Sequence, residues 1–371
     1  MFKWFPTPKC RFPLKRNNGF HSPDRWCNQL RITHWFQAIL NKVVSGKQEL
    51  TFNELVDEMV ADAWYMVSEY KLNLGPSDNL EALVHYVKQI SGMKTSEKKE
   101  NIIKFLESCE DKKVREMKRT LTRNVPYRLQ APFMQLLRGK EWDISEKKLI
   151  EKINLEKRLI YYFAELSGIS TRIYIQPEWC SYFNENQKII KEWIQYNLIT
   201  YLQRRNPSVP GISNKLDPPQ TRKLNLVTHY WKTIIELSPI RDIYGNELLT
   251  KDNLSIDHFV PWSYVAHDEF WNLHPTTKSI NSSKSNHLPE WNRYFPALME
   301  YLSYQMMWRY EGVHKKFENC RNEHINSDDV FMRLYRPEIG QEEFGSSLEH
   351  VLFPLFEAAK NVGFVEWEYG E

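Results

Sequence analysis

A chain of 371 residues, 42% hydrophobic and 14% aromatic, is long enough for two cores and too apolar for a disordered protein. No run of about eighteen apolar residues occurs, and the opening MFKWFPTPKCRFPLKRNNG lacks the apolar stretch of a secretory signal, so the expectation is a soluble cytoplasmic protein with no membrane partner. A net charge of +3 excludes a uniformly basic nucleic-acid coat, and Cys10, Cys27, Cys109, Cys180 and Cys320 fit a reducing compartment and form no C-x-x-C pair for a structural zinc.

Charge is unevenly spread. Residues 1–40 carry Lys3, Lys9, Arg11, Lys15, Arg16, Arg25 and Arg31 against Asp24 alone, interleaved with aromatics such as Phe2, Trp4 and Trp26 that read as anchors of a basic arm. Helices follow. Thr51 and Glu54 spell a capping box ahead of Leu55, Met59 and Val60. Asp78 and Glu81 open a second stripe through Leu80, Leu83, Val84, Val87 and Ile90, ending at Gly92. Further helices are expected over 101–107, 145–166 and 187–204. A second basic run, Lys112, Lys113, Arg115, Lys118, Arg119, Arg123 and Arg128 against Glu116, is segregated in the way that contacts to a phosphate backbone use.

Four prolines in RNPSVPGISNKLDPPQTRKL, residues 205–224, rule out a continuous helix and mark a boundary; its Lys215 and Arg222 read as solvated cations. A helix over 225–237 leads to a turn at Tyr244, Gly245 and Asn246. Then SIDHFVPWSYVAHDEFWNLHPTTKSINSSKSNHLP, residues 255–289, places an Asp257-His258 pair, Asn272 fourteen residues later, Asn281 nine beyond that, and Lys284. Apolar runs at 254–260 and 272–277 predict two antiparallel strands. Thr277 or Ser279 can cap a helix through Ile280 and Lys284, which Pro289 interrupts. Hydrolysing a phosphodiester needs a base for water and a divalent ion against the phosphate charge, and an oxygen-rich ligand set suits Mg2+ or Mn2+. Strand alternation would send adjacent Asp257 and His258 to opposite faces unless a strand end or bulge intervenes. Beyond Pro289, residues 290–317 predict a long helix or a broken pair. The tail from Pro337 holds eight glutamates and one basic residue, Lys360.

The DH-x-x-P start, the WNL entry to the second strand and the N-x-x-K-S end resemble the HNH endonuclease family. The version they most resemble is the HNH nuclease domain of CRISPR effectors and of related bacterial restriction or anti-phage nucleases. The resemblance covers about a tenth of the chain. It implies a small ββα-metal core, within a protein that is otherwise mainly α and α+β overall. By position, Asp257 and Asn281 resemble the metal ligands, with His287 as an alternative ligand. His258 resembles the general base, Asn272 the residue that braces the inter-strand loop, and Lys284 a phosphate contact. The expected organisation is 1–204 helical with a basic arm, 205–235 a Pro-rich boundary and lead-in helix, 236–290 the nuclease core, and 291–371 helical with an acidic tail.

The function implied is metal-dependent cleavage of DNA to a 5′ phosphate and a 3′ hydroxyl, nicking as a monomer or cutting both strands as a homodimer. An anti-phage role beside other defence-system proteins goes with it. An inactive HNH fold that binds nucleic acid or recruits a partner, and an RNA-directed nuclease, are the alternatives. His267 and His274 lie nearby at spacings that match no ligand pattern.

Overall fold

A computed structural model of the chain describes residues 24–75, 79–134, 142, 144–156, 159–219, 222, 224–302, 313–322, 332–336 and 339–370, without the side chains of 24–29 and 302. Most of the arm at 1–23, and residues 303–312 of the predicted 290–317 helix, lie outside them. The fold is mainly helical, with three small sheets among the described residues, and it divides into two compact units, Met1–Asn206 and Pro207–Glu371.

In the first unit, α1 (Asp24–Val44), α2 (Phe52–Trp64) and α8 (Pro177–Arg205) pack around a core that includes Trp35, Leu55, Met59, Phe183 and Leu202. The capping box at the start of α2 forms as expected: Thr51 Oγ1 accepts from Glu54 N, and the Glu54 carboxylate accepts from Thr51 N. Shorter helices α3 (Asn79–Ser91), α4 (Lys99–Ser108), α5 (Lys112–Leu121), α6 (Val125–Arg128) and α7 (Glu146–Leu155) complete the unit.

The helix expected over 145–166 stops at Leu155. Tyr161–Glu165 is instead a strand, β2, beside β3 (Arg172–Ile175) and β1 (Glu49–Thr51) in the order β1-β3-β2. The consecutive aromatics Tyr161, Tyr162 and Phe163 favour a pleated surface, and alternation buries Tyr161 and Phe163. Phe163 then meets Phe52 edge-on at 6.2 Å and stacks on Tyr127 at 5.2 Å, contacts a continued helix would not make. The basic run at 112–128 also differs from a uniformly solvated face. Lys118 is buried, with its Nζ 2.5 Å from Asp57 Oδ1.

In the second unit the Pro-rich stretch lies on its own unit's core. Lys215, expected to be solvated, is buried, and its Nζ donates to the carbonyl oxygens of Pro210 and Tyr264. Burial pulls its pKa down to about 7. Helix α9 (Asn225–Leu237) leads to the 242–245 turn, where Asp242 Oδ2 accepts from the Tyr244 and Gly245 amides and its Oδ1 accepts from Thr276 Oγ1 at 2.6 Å. Gly245 has no room for a side chain: a Cβ there would lie 2.7 Å from the Tyr369 ring and 3.0 Å from Ile280 Cδ1.

The antiparallel pair β4 (Leu254–His258) and β5 (Leu273–Thr277) follows, with a short helix α10 (Trp262–Val265) in the connection, and then α11 (Lys278–Lys284). Thr277 Oγ1 caps α11 by accepting from Ile280 N. Strand, loop, strand and helix thus stand in the order read from the sequence.

The short strand β6 (Leu288–Pro289) pairs in parallel with β7 (Glu366–Trp367). Helices α12 (Trp291–Leu302), α13 (His314–Asn322) and α14 (Gln341–Asn361) supply the aromatics that close the core. Tyr244 sits at the centre of that closure, edge-on to His274, Tyr294 and Trp367 at 5.1–5.3 Å.

Candidate active site

His258 is the last residue of β4, paired with Leu273, and Asp257 before it pairs with His274. Alternation holds: the two side chains make no hydrogen bond to each other and have different partners. On one face, Asp257 Oδ2 accepts from Tyr244 Oη at 2.9 Å and lies 2.9 Å from Lys284 Nζ, with His274 Nε2 at 3.7 Å. Burial alone would raise the Asp257 pKa, but the Lys284 ammonium and the Tyr244 hydroxyl hold the carboxyl below its usual range. His274 is fully buried, neither ring nitrogen makes a hydrogen bond, and burial drives its pKa down to about 3. It is therefore a neutral imidazole against the carboxylate.

On the other face, His258 Nε2 lies 2.8 Å from Asp268 Oδ1 and Nδ1 lies 3.1 Å from Arg222 Nη1. A carboxylate can only accept and a guanidinium can only donate. Nε2 therefore carries the proton and Nδ1 presents its lone pair towards Arg222. Burial lowers the His258 pKa, Asp268 partly offsets this, and Arg222 adds to it. The ring is 2% exposed, whereas Arg222 and Asp268 are both exposed, so the chain of three runs from solvent through a buried imidazole and back to solvent.

Asn272 is wholly buried and brackets Val260: its Nδ2 donates to Val260 O and its Oδ1 accepts from Val260 N, both at 2.8 Å. Phe259 N donates to Asn272 O, so the backbone leaving β4 is held on both sides of His258's neighbour. Asn281, half-buried on α11, donates from Nδ2 to Ser255 Oγ at 2.7 Å and Ile256 O at 3.1 Å, which sets it across β4 one residue before Asp257.

Lys284 departs from the expectation of a side chain aimed at a bound phosphate. It is fully buried, on Asp257 and on the His258 carbonyl at 2.7 Å, because α11 packs its inner face onto β4. His287 is exposed and turns its Nδ1 to Lys284 O at the end of α11. Among the described residues no three His, Cys, Asp or Glu side chains are grouped as metal ligands. Asp257 on β4 and Asn281 on α11, which packs against β4, each carry oxygen, a hard donor.

Sequence spacing passes over several of these groups. Asp268 carries no motif, although it and Glu269 are the only acids between the two strands. Tyr244 reads as a turn residue, His274 as a bystander, and Arg222 as a solvated cation. Their proximity to Asp257 and His258 arises from tertiary closure.

The family model described as HNH endonuclease matches residues 241–290, which span the 242–245 turn, both strands and α11. No curated protein and no solved structure matches the chain. The match ends where β6 begins the closure by the C-terminal helices, and the chain therefore carries, at residues 241–290, a domain of the HNH endonuclease family.

Proposed function

We propose that this domain hydrolyses phosphodiester bonds in DNA, with His258 as general base. The observation that carries the reading is the fixed tautomer: Asp268 holds the Nε2 proton, so the basic Nδ1 faces the solvent side at the exposed Arg222. A base must lie within hydrogen-bond reach of the water it activates, and Arg222 marks that place. When a phosphate enters, Arg222 moves its charge-assisted bonds from the imidazole to the phosphate oxygens, and water takes the vacated position at Nδ1. Asn272 keeps the ring in place by holding the backbone behind it.

The donor chemistry fits a hard divalent ion such as Mg2+ or Mn2+, held by the Asp257 and Asn281 oxygens and completed by water and phosphate. When bound, that ion would neutralise charge on the phosphate and on the departing oxygen. Lys284 keeps Asp257 ionised and half-neutralised, which favours an ion that also takes a phosphate oxygen. A bacterial anti-phage role goes with this reading, as do a cytoplasmic location, action as a monomer that nicks or a homodimer that cuts both strands, and work beside other defence proteins.

One observation favours a second reading, a nucleic-acid-binding domain without turnover: both Asp257 and His258 already have charged partners within the chain. Full-length protein offered supercoiled plasmid and structured RNA side by side, with Mg2+, Mn2+ or EDTA, separates these. Metal-dependent nicking of the plasmid supports the nuclease; salt-sensitive binding with no cut product in any metal supports the binding module; cutting confined to RNA moves the substrate.

A further inference from the structure

The first unit contains a cleft of about 500 Å3 between α5 and the 167–170 turn that follows β2, lined by Thr51, Asn53, Glu107, Arg115, Arg119, Ser167 and Ser170 among others. That volume holds a nucleotide-sized ligand. The cations of the 112–128 run divide sharply around it. Lys118 is buried on Asp57, Lys113 lies over the Tyr86 ring at 4.1 Å, and Arg128 lies over the Trp142 ring at 4.5 Å. Arg115 and Arg119, one helical turn apart on α5, are exposed, line the cleft and make no ion pair among the described residues.

Opposite them the chain turns tightly. Gly168 has φ +56°, and a methyl group added there would come 3.9 Å from Arg119 Nη2, so the turn faces the guanidinium. The hydroxyls of Ser167 and Ser170 line the same space and make no hydrogen bond among the described residues, whereas Thr51 and Asn53 are spent on Glu54, and on Asp57 and Lys118. Thus the uncommitted polar groups of the cleft are two forked cations and two hydroxyls, with Glu107 as the single carboxylate on the wall. Two guanidiniums and neutral donors are the set that binds a phosphate oxygen by oxygen.

We infer that this cleft is a phosphate-binding site of the first unit, separate from the His258 site, for a phosphodiester backbone or for a free nucleotide. Arg115 and Arg119 provide the forked contacts, and Ser167 and Ser170 donate to the remaining oxygens. Lys118, fixed on Asp57, adds no net charge, so affinity depends on the two arginines.

The test uses full-length protein and an R115Q/R119Q variant, with K188Q/K191Q as a control that removes the same charge from exposed positions of α8. Binding of a fluorescent DNA duplex is measured across salt in EDTA, and AMP binding is measured by titration calorimetry. If the source is a backbone, R115Q/R119Q weakens duplex binding at least tenfold and lowers the slope of log K against log salt by about 2, while the control stays within about twofold. If the source is a nucleotide, AMP binds wild type and control and is lost in R115Q/R119Q, with duplex binding unchanged. The inference is overturned if neither ligand distinguishes R115Q/R119Q from wild type, or if the control loses as much. Since the readout is binding without metal, it stands or falls independently of cleavage by His258. Circular dichroism of the variant confirms that these exposed changes leave the fold intact.

Discussion

Asp268 shows how much one carboxylate decides. Without it, His258 Nε2 loses its acceptor and nothing selects the tautomer that leaves Nδ1 basic. Asp268→Ala, which removes that acceptor, is expected to slow plasmid nicking by about 10- to 100-fold, the scale of loss for an outer-shell partner that orients an imidazole. The sign of its pH effect also follows. Asp268 raises the His258 pKa against burial, so removing it lowers that pKa further, and the acidic limb of the rate profile moves to lower pH. A limb that stays in place, with an unchanged rate, would deny Asp268 this role. Asn272→Ala, which strands both the Val260 amide and its carbonyl in a buried site, is expected to cost about 2–4 kcal/mol in denaturant unfolding. A loss under about 0.5 kcal/mol would mean that the bracket carries no load.

His34 on α1 offers a test remote from the site. It is fully buried with neither nitrogen hydrogen-bonded, and burial lowers its pKa to about 4. Its unfolded value is about 6.5, so between the two the unfolded chain binds the proton and the folded chain does not. Stability is therefore lost as pH falls from about 6.5 towards 4. His34→Leu is expected to gain about 2 kcal/mol more, relative to wild type, at pH 5 than at pH 8. An equal effect at both values would show that the ring titrates normally in the folded state.

The elements differ in how plainly the sequence announces them. The capping box at Thr51 and the stripe of α9 are local signals, and both stand where spacing puts them. The strand β2 is announced less plainly: Leu149 and Ile153 lie at helical spacing, the aromatics at 161–163 favour a strand, and pairing with β3 completes the extended segment. At the site, the spacing of Asp257, His258, Asn272 and Asn281 is visible because β4, β5 and α11 are consecutive. The partners Arg222, Tyr244, Asp268 and His274 are visible only once α9, the 242–245 turn and the inter-strand loop have closed on them. Lys284 is the instructive case. A lysine one turn after Asn281 reads as a phosphate contact, but helix packing sends it inward to the carboxylate.

For the molecule as a whole, the HNH match covers residues 241–290 of a chain with two compact units. Tyr244 is enclosed by Tyr294 and Trp367, so the C-terminal helices complete the domain's core rather than follow it as a separate tail. A fragment of residues 207–371 is accordingly expected to fold alone with a cooperative melt, whereas one ending at 290 is expected to aggregate or melt without cooperativity. A cooperative 207–290 fragment would show that α12 and α14 are dispensable. The closest approach to the central claim is single-turnover nicking of supercoiled plasmid by full-length protein in Mg2+, wild type against His258→Ala at equal DNA occupancy. Wild type is expected to nick the plasmid in a reaction that EDTA abolishes, with a loss of about 100- to 10,000-fold in the variant; equal nicking by the variant, or a wild type that binds DNA and cuts it in no metal, would contradict the role of His258 as base.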